Sequence, residues 1–228
     1  MTNGHIPTNG VRAQPMYTFK EAAHLAEVSP GTVRNWLFGY VSGERSAEPL
    51  FNVPSDQGPM VSFLQLIEIV VAGRFRKAEH LPLQTIRQAY ENAQQQFSIQ
   101  YPFAHLRLEA IGGHIVQRMR GEHPGASLQA LDQPTQWTLP GLVIEVVHQL
   151  EYEQDLAARW YPIGKDVPIV VDPRISAGIP TFTGRGVTIE AIHKRWKAGY
   201  KIDFIARDFE LEPPLVETAL QYAERVAA

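Results

Sequence analysis

Three polar side chains that could read the edges of DNA bases lie close together in the stretch SPGTVRNWLF: Thr32, Arg34 and Asn35. An arginine can donate two hydrogen bonds to guanine, an asparagine can pair with adenine, and a threonine hydroxyl can bond a phosphate or a base edge. This chemistry requires that the three side chains share the exposed face of one helix. The alternative is an ordinary helical hairpin whose polar face is solvated.

The flanking sequence predicts two short helices that would present this face. Thr18 and Glu21 fit a capping box ahead of an apolar pattern, and Ser29 followed by Pro30 marks the start of a second helix. The residues predicted to face inward in the second helix are Val33, Trp36 and Leu37. Two short helices joined by a tight turn make a helix-turn-helix.

A polar, turn-rich segment at residues 39–63 has the length of a two-stranded wing, and two further helical patterns follow it. Within the segment, Tyr40 and Arg45 are candidate contacts to the DNA backbone. Thr18 and Ser29, at the predicted helix starts, complete the candidate DNA-binding set. From Tyr17 to Gln96 the order and lengths of these segments resemble the winged helix-turn-helix of MerR-like regulators.

A second candidate site is the sequence Gly184-Arg185-Gly186, which precedes another helical pattern. A dinucleotide-binding loop needs a third glycine where this chain has Ile189, and a P-loop needs a lysine where it has Val187. We therefore interpret the glycines as turn residues with positive φ. The sequence shows no catalytic constellation, so we predict no bound cofactor and no enzyme activity.

The region from residue 164 onwards predicts short strands followed by helices. Strands are predicted at 169–171 and 181–183, a helix at 187–198, and then a second helix-turn-helix whose last helix starts at Pro213. The residues predicted to be exposed on that last helix are Glu217, Thr218, Gln221, Tyr222 and Glu224. Its glutamates would be repelled by phosphates, so we interpret this unit as a protein-contact or dimerisation module.

Glycine and proline positions in this unit carry the most specific resemblance in the chain. They are Pro173, Gly178, Pro180, Gly184 and Gly186. This pattern resembles a small domain family of unknown function that is common among antitoxins. Together with the MerR-like N-terminus, it makes the chain resemble VapB-type antitoxins of type II toxin–antitoxin pairs.

The resemblance implies two binding partners. One is a VapC toxin, a PIN-domain ribonuclease with a magnesium-binding carboxylate cluster, and the other is the operator of the protein's own operon. Arg174 and Arg185 are candidate partner-binding residues, because guanidinium groups bind carboxylates well. We expect a homodimer on a two-fold operator.

The middle of the chain offers weaker signals. Residues 105–119 predict a hairpin, and residues 139–153 fit either a helix or a strand. His105, His114 and His123 suggest a metal site, but their spacing matches no metal-binding motif, so we predict none. The main alternative function is a stand-alone MerR-like regulator whose C-terminal half senses a small molecule in a cleft lined by Trp137, Trp160 and Tyr161.

Composition limits the remaining possibilities. The 228 residues carry a net charge of −3 and no cysteine, which excludes disulfides and thiol chemistry and suits a cytoplasmic protein. No apolar run is long enough to span a membrane. We predict a mainly α fold with small β elements (α+β), with a flexible tail (1–15), a DNA-binding domain (16–98), a middle region (99–163) and a C-terminal domain (164–228).

Overall fold

The computed structural model describes residues 10–43, 45–51, 53, 58–79, 82–105 and 141–227. Helices predominate there and are joined by short two-stranded antiparallel sheets, which confirms the predicted α+β class. None of the helices described combines the length and the apolar character needed to cross a membrane.

The N-terminal half contains the predicted helix-turn-helix and wing. It begins with strand β1 (Pro15–Thr18), helices α1 (Phe19–Ala26) and α2 (Pro30–Phe38), and strands β2 (Tyr40–Ser42) and β3 (Arg45–Ala47). It continues with strand β4 (Met60–Ser62) and helices α3 (Phe63–Glu79) and α4 (Leu83–Phe97). β1 pairs with β4, and β2 and β3 form an antiparallel hairpin immediately after α2.

Helix α3 is the centre of the larger core, and every residue from 63 to 73 is buried. The polar residues in or beside this tract are hydrogen-bonded. Ser62 Oγ accepts from the Gln65 amide at 3.2 Å, and Gln65 Oε1 accepts from the Ser62 amide at 2.9 Å. Glu68 Oε2 accepts from the Tyr90 hydroxyl at 3.1 Å, while Glu68 Oε1 is buried without a hydrogen-bond partner among the described residues. A helix can be buried on all sides when its polar groups find partners in this way.

The described part of the middle region packs onto this same core. It comprises helix α5 (Gly141–His148) and strands β5 (Leu150–Glu153) and β6 (Leu156–Trp160). The stretch that fitted helix or strand is therefore helix first and strand second. α5 packs against α3, and this tertiary contact outweighs the strand preference of its β-branched residues.

The C-terminal half has a second, smaller core. Its elements are strands β7 (Ile169–Val170) and β8 (Thr181–Phe182) and helices α6 (Ile189–Lys197), α7 (Ile202–Asp208) and α8 (Pro213–Ala227). β7 and β8 pair antiparallel, with Ile169 opposite Phe182. The buried side chains that join the helices include Ile192, Ile205 and Val216.

Two expectations about the C-terminal half are corrected by the structure. The helix predicted from residue 187 begins at Ile189, because Thr188 caps it by accepting a hydrogen bond from the Ala191 amide at 3.1 Å. Tyr222, predicted to be exposed, is buried. The reason is that α8 packs against both α6 and α7, and Tyr222 belongs to the core that these helices share.

The proposed aromatic cleft is also not supported. Trp160 is only 1 % exposed and donates its indole N–H to Gln149 Oε1 at 3.2 Å, so it belongs to the core and does not line a cleft. Trp137 lies outside the described residues, as do His114, His123 and most of the predicted hairpin at 105–119.

Candidate nucleic-acid interface

The start of α1 is fixed by the predicted capping box. The Thr18 hydroxyl accepts from the Glu21 amide at 3.2 Å, and the Glu21 carboxylate accepts from the Thr18 amide at 2.7 Å. These reciprocal bonds satisfy donors that a helix N-terminus otherwise leaves unpaired. Helix α1 ends at Glu27, whose positive φ of 53° turns the chain towards α2.

The start of α2 is fixed by Ser29 and Pro30. Ser29 Oγ accepts from the Thr32 amide at 3.0 Å and lies 2.8 Å from the Thr32 hydroxyl. Pro30 occupies the first turn, where its fixed φ suits a helix. The Ser29 and Thr32 hydroxyls are thus already bonded to each other, and a phosphate would have to share them.

The faces of α2 divide as the sequence predicts. Val33, Trp36 and Leu37 are buried, whereas Arg34 is exposed and Asn35 is half-buried. Within the described part of the chain, the Arg34 guanidinium has no hydrogen bond or ion pair. No contact with another described residue has to be broken for it to bind a base or a phosphate.

The wing hairpin stands beside this face. One groove of about 340 Å³ lies between α2 and the hairpin. Its lining includes Arg34 and Phe38 of α2, Tyr40 and Val41 of β2, Ser46 of β3, and Glu48 next to β3. The structure therefore brings Arg34 and Tyr40 together. Arg45 lies in the same hairpin, where its backbone pairs with Ser42. DNA contact by any of these residues stays a prediction.

Gly39 allows the wing to approach α2 so closely. Its φ of 68° and ψ of −171° lie in a region that is essentially restricted to glycine. A Cβ at this position would lie 2.5 Å from the carbonyl oxygen of Ala47 and 3.1 Å from the nitrogen of Pro49. Sequence reasoning missed this role, although a glycine directly after a helix is a recognisable signal.

Two further contacts hold the segment that follows the wing. Arg87 of α4 donates from Nε to the Pro49 carbonyl at 3.0 Å and from Nη2 to the Glu48 carbonyl at 2.5 Å. The Trp36 carbonyl near the end of α2 accepts from the Leu50 amide at 2.7 Å. No sequence pattern marked Arg87, because its partners are backbone atoms 38 and 39 positions away.

An aromatic cluster includes Trp36 on the buried face of α2. Ring centroids lie 6.3 Å apart for Trp36 and Phe51, 5.2 Å for Phe51 and Tyr90, and 5.2 Å for Tyr90 and Phe103. The near-perpendicular ring planes are a favoured aromatic geometry. Next to this cluster, burial raises the pKa of the Glu68 carboxyl well above its usual value, against the weaker opposing effect of the Tyr90 hydrogen bond.

The turn of the helix-turn-helix is tied to two other helices through Glu27. Its carboxylate lies 3.1 Å from Lys77 and 3.6 Å from Arg74, both in α3, and 3.7 Å from Arg225 in α8. Burial alone would raise the pKa of Glu27, but the Lys77 hydrogen bond and the three positive charges outweigh it and lower that pKa. The N-terminal and C-terminal halves meet here and at Tyr17, whose hydroxyl donates to the Gly178 carbonyl at 3.1 Å.

The two candidate partner-binding arginines differ in their availability. Arg174 donates from Nε and Nη2 to Asp172 at 2.9 Å each and from Nη1 to Glu153 at 3.0 Å, so it is occupied within the molecule. Arg185 is exposed and makes one described contact, to Glu210 at 3.3 Å. Of the two, Arg185 is the side chain that a partner could engage at lower cost.

The buried carboxylate of Asp172 links β6 to the loop that follows β7. Arg159 Nε donates to Asp172 Oδ2 at 2.8 Å, and Arg174 Nη2 donates to the same oxygen at 2.9 Å. Asp172 Oδ1 accepts from the Nε and the backbone amide of Arg174. Burial alone would raise the pKa of Asp172, but the hydrogen bonds from Arg174 and Arg159 outweigh it and lower that pKa.

Metal ligation has no support in the described residues, which contain no group of three or more histidine, aspartate or glutamate side chains arranged to hold an ion. His105 is half-buried and its backbone forms an isolated bridge with Leu156.

Comparisons with known families match both ends of the chain. Residues 15–90, from β1 to within α4, match the family described as "Putative DNA-binding HTH domain". Residues 169–223 match the family described as "Protein of unknown function (DUF433)". The first match covers the helix-turn-helix, the wing and the helix that carries Arg87.

Comparisons over the whole chain agree with this division. The chain is 24 % identical over 223 residues to "Putative antitoxin VapB45" of Mycobacterium tuberculosis, covering 90 % of this chain and 92 % of that protein. It is 26 % identical over 219 residues to "Uncharacterized protein Rv2308" of the same organism, covering 92 % and 90 %.

A solved structure shares the fold. The X-ray crystal structure of Rv2018 from Mycobacterium tuberculosis superposes with a TM-score of 0.68 at 21 % identity, covering 91 % of this chain and 98 % of that one. At this identity the likeness concerns the fold alone. Taken with the family matches, the findings make this chain an antitoxin-like protein with an N-terminal helix-turn-helix domain of a DNA-binding type.

Proposed function

We propose that this protein is an antitoxin of the VapB type, which represses its own operon and neutralises a PIN-domain ribonuclease. The observation that carries the proposal is the groove between α2 and the wing. Arg34 lines this groove from a helix capped at both ends, and its side chain is not paired with any described residue. The full-length similarity to a protein named as an antitoxin supports the second activity.

In the DNA-binding arm, α2 enters the major groove of the operator. Arg34 reads a guanine and Asn35 an adenine, while Tyr40 and Arg45 in the MerR-like wing contact the sugar–phosphate backbone. Ser29 and Thr32 lie at the N-terminus of α2, where their hydroxyls and the helix dipole favour a phosphate. A homodimer would place two such helices on a two-fold site.

In the toxin-binding arm, the C-terminal half covers the ribonuclease. Arg185 is better placed than Arg174 to meet a carboxylate of the toxin, because its one internal contact is long and exposed. The antitoxin acts by binding, and it has no catalytic step of its own.

The DNA-binding arm is tested with the Arg34→Ala variant and a labelled fragment from upstream of the protein's own operon. We expect a loss of about 1–3 kcal/mol in binding free energy and relaxed specificity at one base pair. Arg207→Ala is the matched control, because it removes an exposed arginine from α7 in the other half of the molecule. If Arg34→Ala binds like Arg207→Ala, α2 is not the recognition helix.

The toxin-binding arm is tested by purifying the tagged protein from its native host and identifying any protein recovered in near-equal amount. A ribonuclease that this protein inhibits in a purified assay would support the proposal. Recovery of the protein alone, with operator binding intact, would instead favour the stand-alone regulator. Full inhibition by Arg185→Ala would remove the assigned role of that side chain only.

A further inference from the structure

The C-terminal half carries a concentration of exposed aromatic side chains. Trp196 is 38 % exposed, Tyr200 41 % and Phe204 48 %, all within nine residues of sequence at the junction of α6 and α7. We call these residues, together with Arg195, the aromatic ridge. A cluster of exposed large aromatic side chains is typical of a binding site, whereas single exposed apolar side chains are common on any protein surface.

Three of the four ridge side chains, those of Arg195, Tyr200 and Phe204, contact one another or a neighbouring residue within the molecule. The Tyr200 and Phe204 rings stack with centroids 5.1 Å apart and an interplanar angle of 23°. The Arg195 guanidinium lies 5.5 Å from the Tyr200 ring centroid and bonds Asp208 at 3.1 Å. Internal contacts of this kind reduce the conformational entropy that side chains lose when a partner binds.

The surroundings of the ridge are basic. Residues 189–204 contain four basic and two acidic side chains, in a chain that has 24 acidic and 21 basic residues overall. Lys194 is paired with Glu190 at 2.6 Å, whereas Lys197 and Lys201 are exposed and have no ion pair among the described residues. A partner that covers the ridge must therefore bring negative charge to its border.

We propose that the aromatic ridge is the surface that docks the toxin, and that the toxin receives it in an apolar groove bordered by carboxylates. This inference rests on the proposed function, because the toxin is the partner it assigns. Trp, Tyr and Arg are the residue types that carry most binding energy in protein interfaces, and the ridge contains all three. The border lysines steer the approach of the acidic partner and set the register.

A nucleic acid fits the ridge less well. Bases stack on open ring faces, but the Tyr200 ring already stacks with Phe204 and has the Arg195 guanidinium 5.5 Å from its centroid. Asp203 is exposed on the same helix as Phe204 and would repel phosphates. A second copy of this chain is also disfavoured, because a two-fold contact would place the same basic border against itself.

The experiment measures the affinity of the purified toxin, identified as described above, for this protein and three variants. Phe204→Ala is expected to raise Kd by about tenfold or more, as loss of a central aromatic anchor does. Lys197→Glu is expected to raise Kd at low salt, with a smaller effect at high salt. Ile175→Ala, which truncates a side chain that is 39 % exposed outside the ridge, is the matched control and should leave Kd unchanged.

The outcomes separate this inference from the proposed function. If the toxin binds and Phe204→Ala binds it as tightly as the unaltered protein, the ridge is not the docking surface and the antitoxin function stands. If Phe204→Ala weakens DNA binding alone, the ridge is a nucleic-acid site and the proposal is overturned. If no toxin binds the unaltered protein, both fall. Unfolding curves of each variant, and amide hydrogen-exchange protection of residues 196–204 in the unaltered complex, exclude loss of folding as the cause.

Discussion

The chain contains two helix-turn-helix units whose second helices expose opposite charges. In the N-terminal unit, α2 presents the exposed Arg34 beside a hairpin. In the C-terminal unit, α8 exposes Glu217 and Glu224 and buries Tyr222. Phosphates attract the first surface and repel the second. The helix-turn-helix alone therefore does not distinguish the two units, whereas the charge exposed on their second helices does.

The two units also differ in how their helices are fixed. The Thr18 and Glu21 capping box and the Ser29 cap hold α1 and α2 through side-chain hydrogen bonds. The first helix of the C-terminal unit, α7, follows Lys201, which makes no such bond. A missing cap costs about 1 kcal/mol, so α7 depends more on the burial of Ile205 and its neighbours. The starts of both helices are thus fixed by side-chain caps in the first unit, whereas the first helix of the second unit relies on core packing.

The largest expected effect contrasts two glycines with positive φ, one in each half. In Gly39→Ala the new Cβ meets the Ala47 carbonyl and the backbone itself is restricted to glycine, so we expect a loss of about 3 kcal/mol in unfolding free energy. Gly184 has a φ of 76° but open space around a Cβ, so Gly184→Ala should cost only about 1–2 kcal/mol. Urea unfolding of both variants measures the difference.

Operator affinity provides a second measurement that distinguishes the Gly39→Ala and Gly184→Ala variants. Gly39→Ala should displace the wing from Arg34 and weaken operator binding even under conditions where the variant is fully folded. Gly184→Ala lies in the C-terminal half and should bind the operator normally. Equal operator affinities for folded Gly39→Ala and the unaltered protein would mean that the position of the wing does not matter for binding.

The second effect contrasts two buried carboxyls whose pKa values move in opposite directions. Burial raises the pKa of Glu68 in the folded state. Above the ordinary glutamate pKa of about 4.5, the unfolded chain therefore releases a proton that the folded protein keeps. The free energy of unfolding falls as pH rises above 4.5. Hydrogen bonds lower the pKa of Asp172 in the folded state below the ordinary aspartate pKa of about 3.8. The ionised carboxylate therefore stabilises the fold above pH 3.8, and this contribution is lost as the pH falls through the lowered pKa of the folded state.

Two conservative variants separate these contributions. Glu68→Gln should flatten the decline in stability at rising pH and be at least as stable as the unaltered protein at neutral pH, because it removes an ionisable group from the core. Asp172→Asn should lose about 2 kcal/mol at neutral pH, through weaker bonds to two arginines, and show less acid sensitivity. Thermal unfolding between pH 3 and pH 9 distinguishes them, and parallel pH profiles for all three proteins would contradict both assignments.

What the sequence predicts well is local. The capping box at Thr18, the Ser29 cap and the inward residues of α2 depend on neighbours within one helical turn, and all are confirmed. The turn glycines Gly184 and Gly186 have the expected positive φ. These features follow from backbone sterics and hydrogen bonding between residues three or four positions apart.

What the sequence does not predict depends on distant contacts. Tyr222 has the spacing of an exposed residue, but it packs into the core that α8 shares with α6 and α7. Trp160 was assigned to a cleft and lies in the core, where Gln149 satisfies its indole N–H. Arg87 supports the residues after the wing through carbonyl groups, which every residue has and which leave no mark on the sequence. The candidate groove itself exists only once α2, the wing and α4 are assembled.

The smallest expected effect concerns the ion pair that joins the two units. Arg225 of α8 lies 3.7 Å from Glu27 in the first turn and 5.3 Å from the centroid of the Tyr222 ring. It is 52 % exposed, and Glu27 keeps its contacts with Lys77 and Arg74 when Arg225 is removed. Arg225→Ala should therefore lower the unfolding free energy by only about 0.5–1 kcal/mol, less at high salt.

The control for this last prediction is Arg207→Ala, whose side chain makes no hydrogen bond or ion pair with the described residues and should change stability by less than about 0.5 kcal/mol. A difference between the two variants that disappears in high salt would show that charge couples α8 to the first turn. If the two behave alike at low salt, the turn depends on α3 alone for its charge partners. The junction of the two units then depends on Tyr17 and the packing of α8 on α1, and removing the Tyr17 hydroxyl would be the change that loosens it.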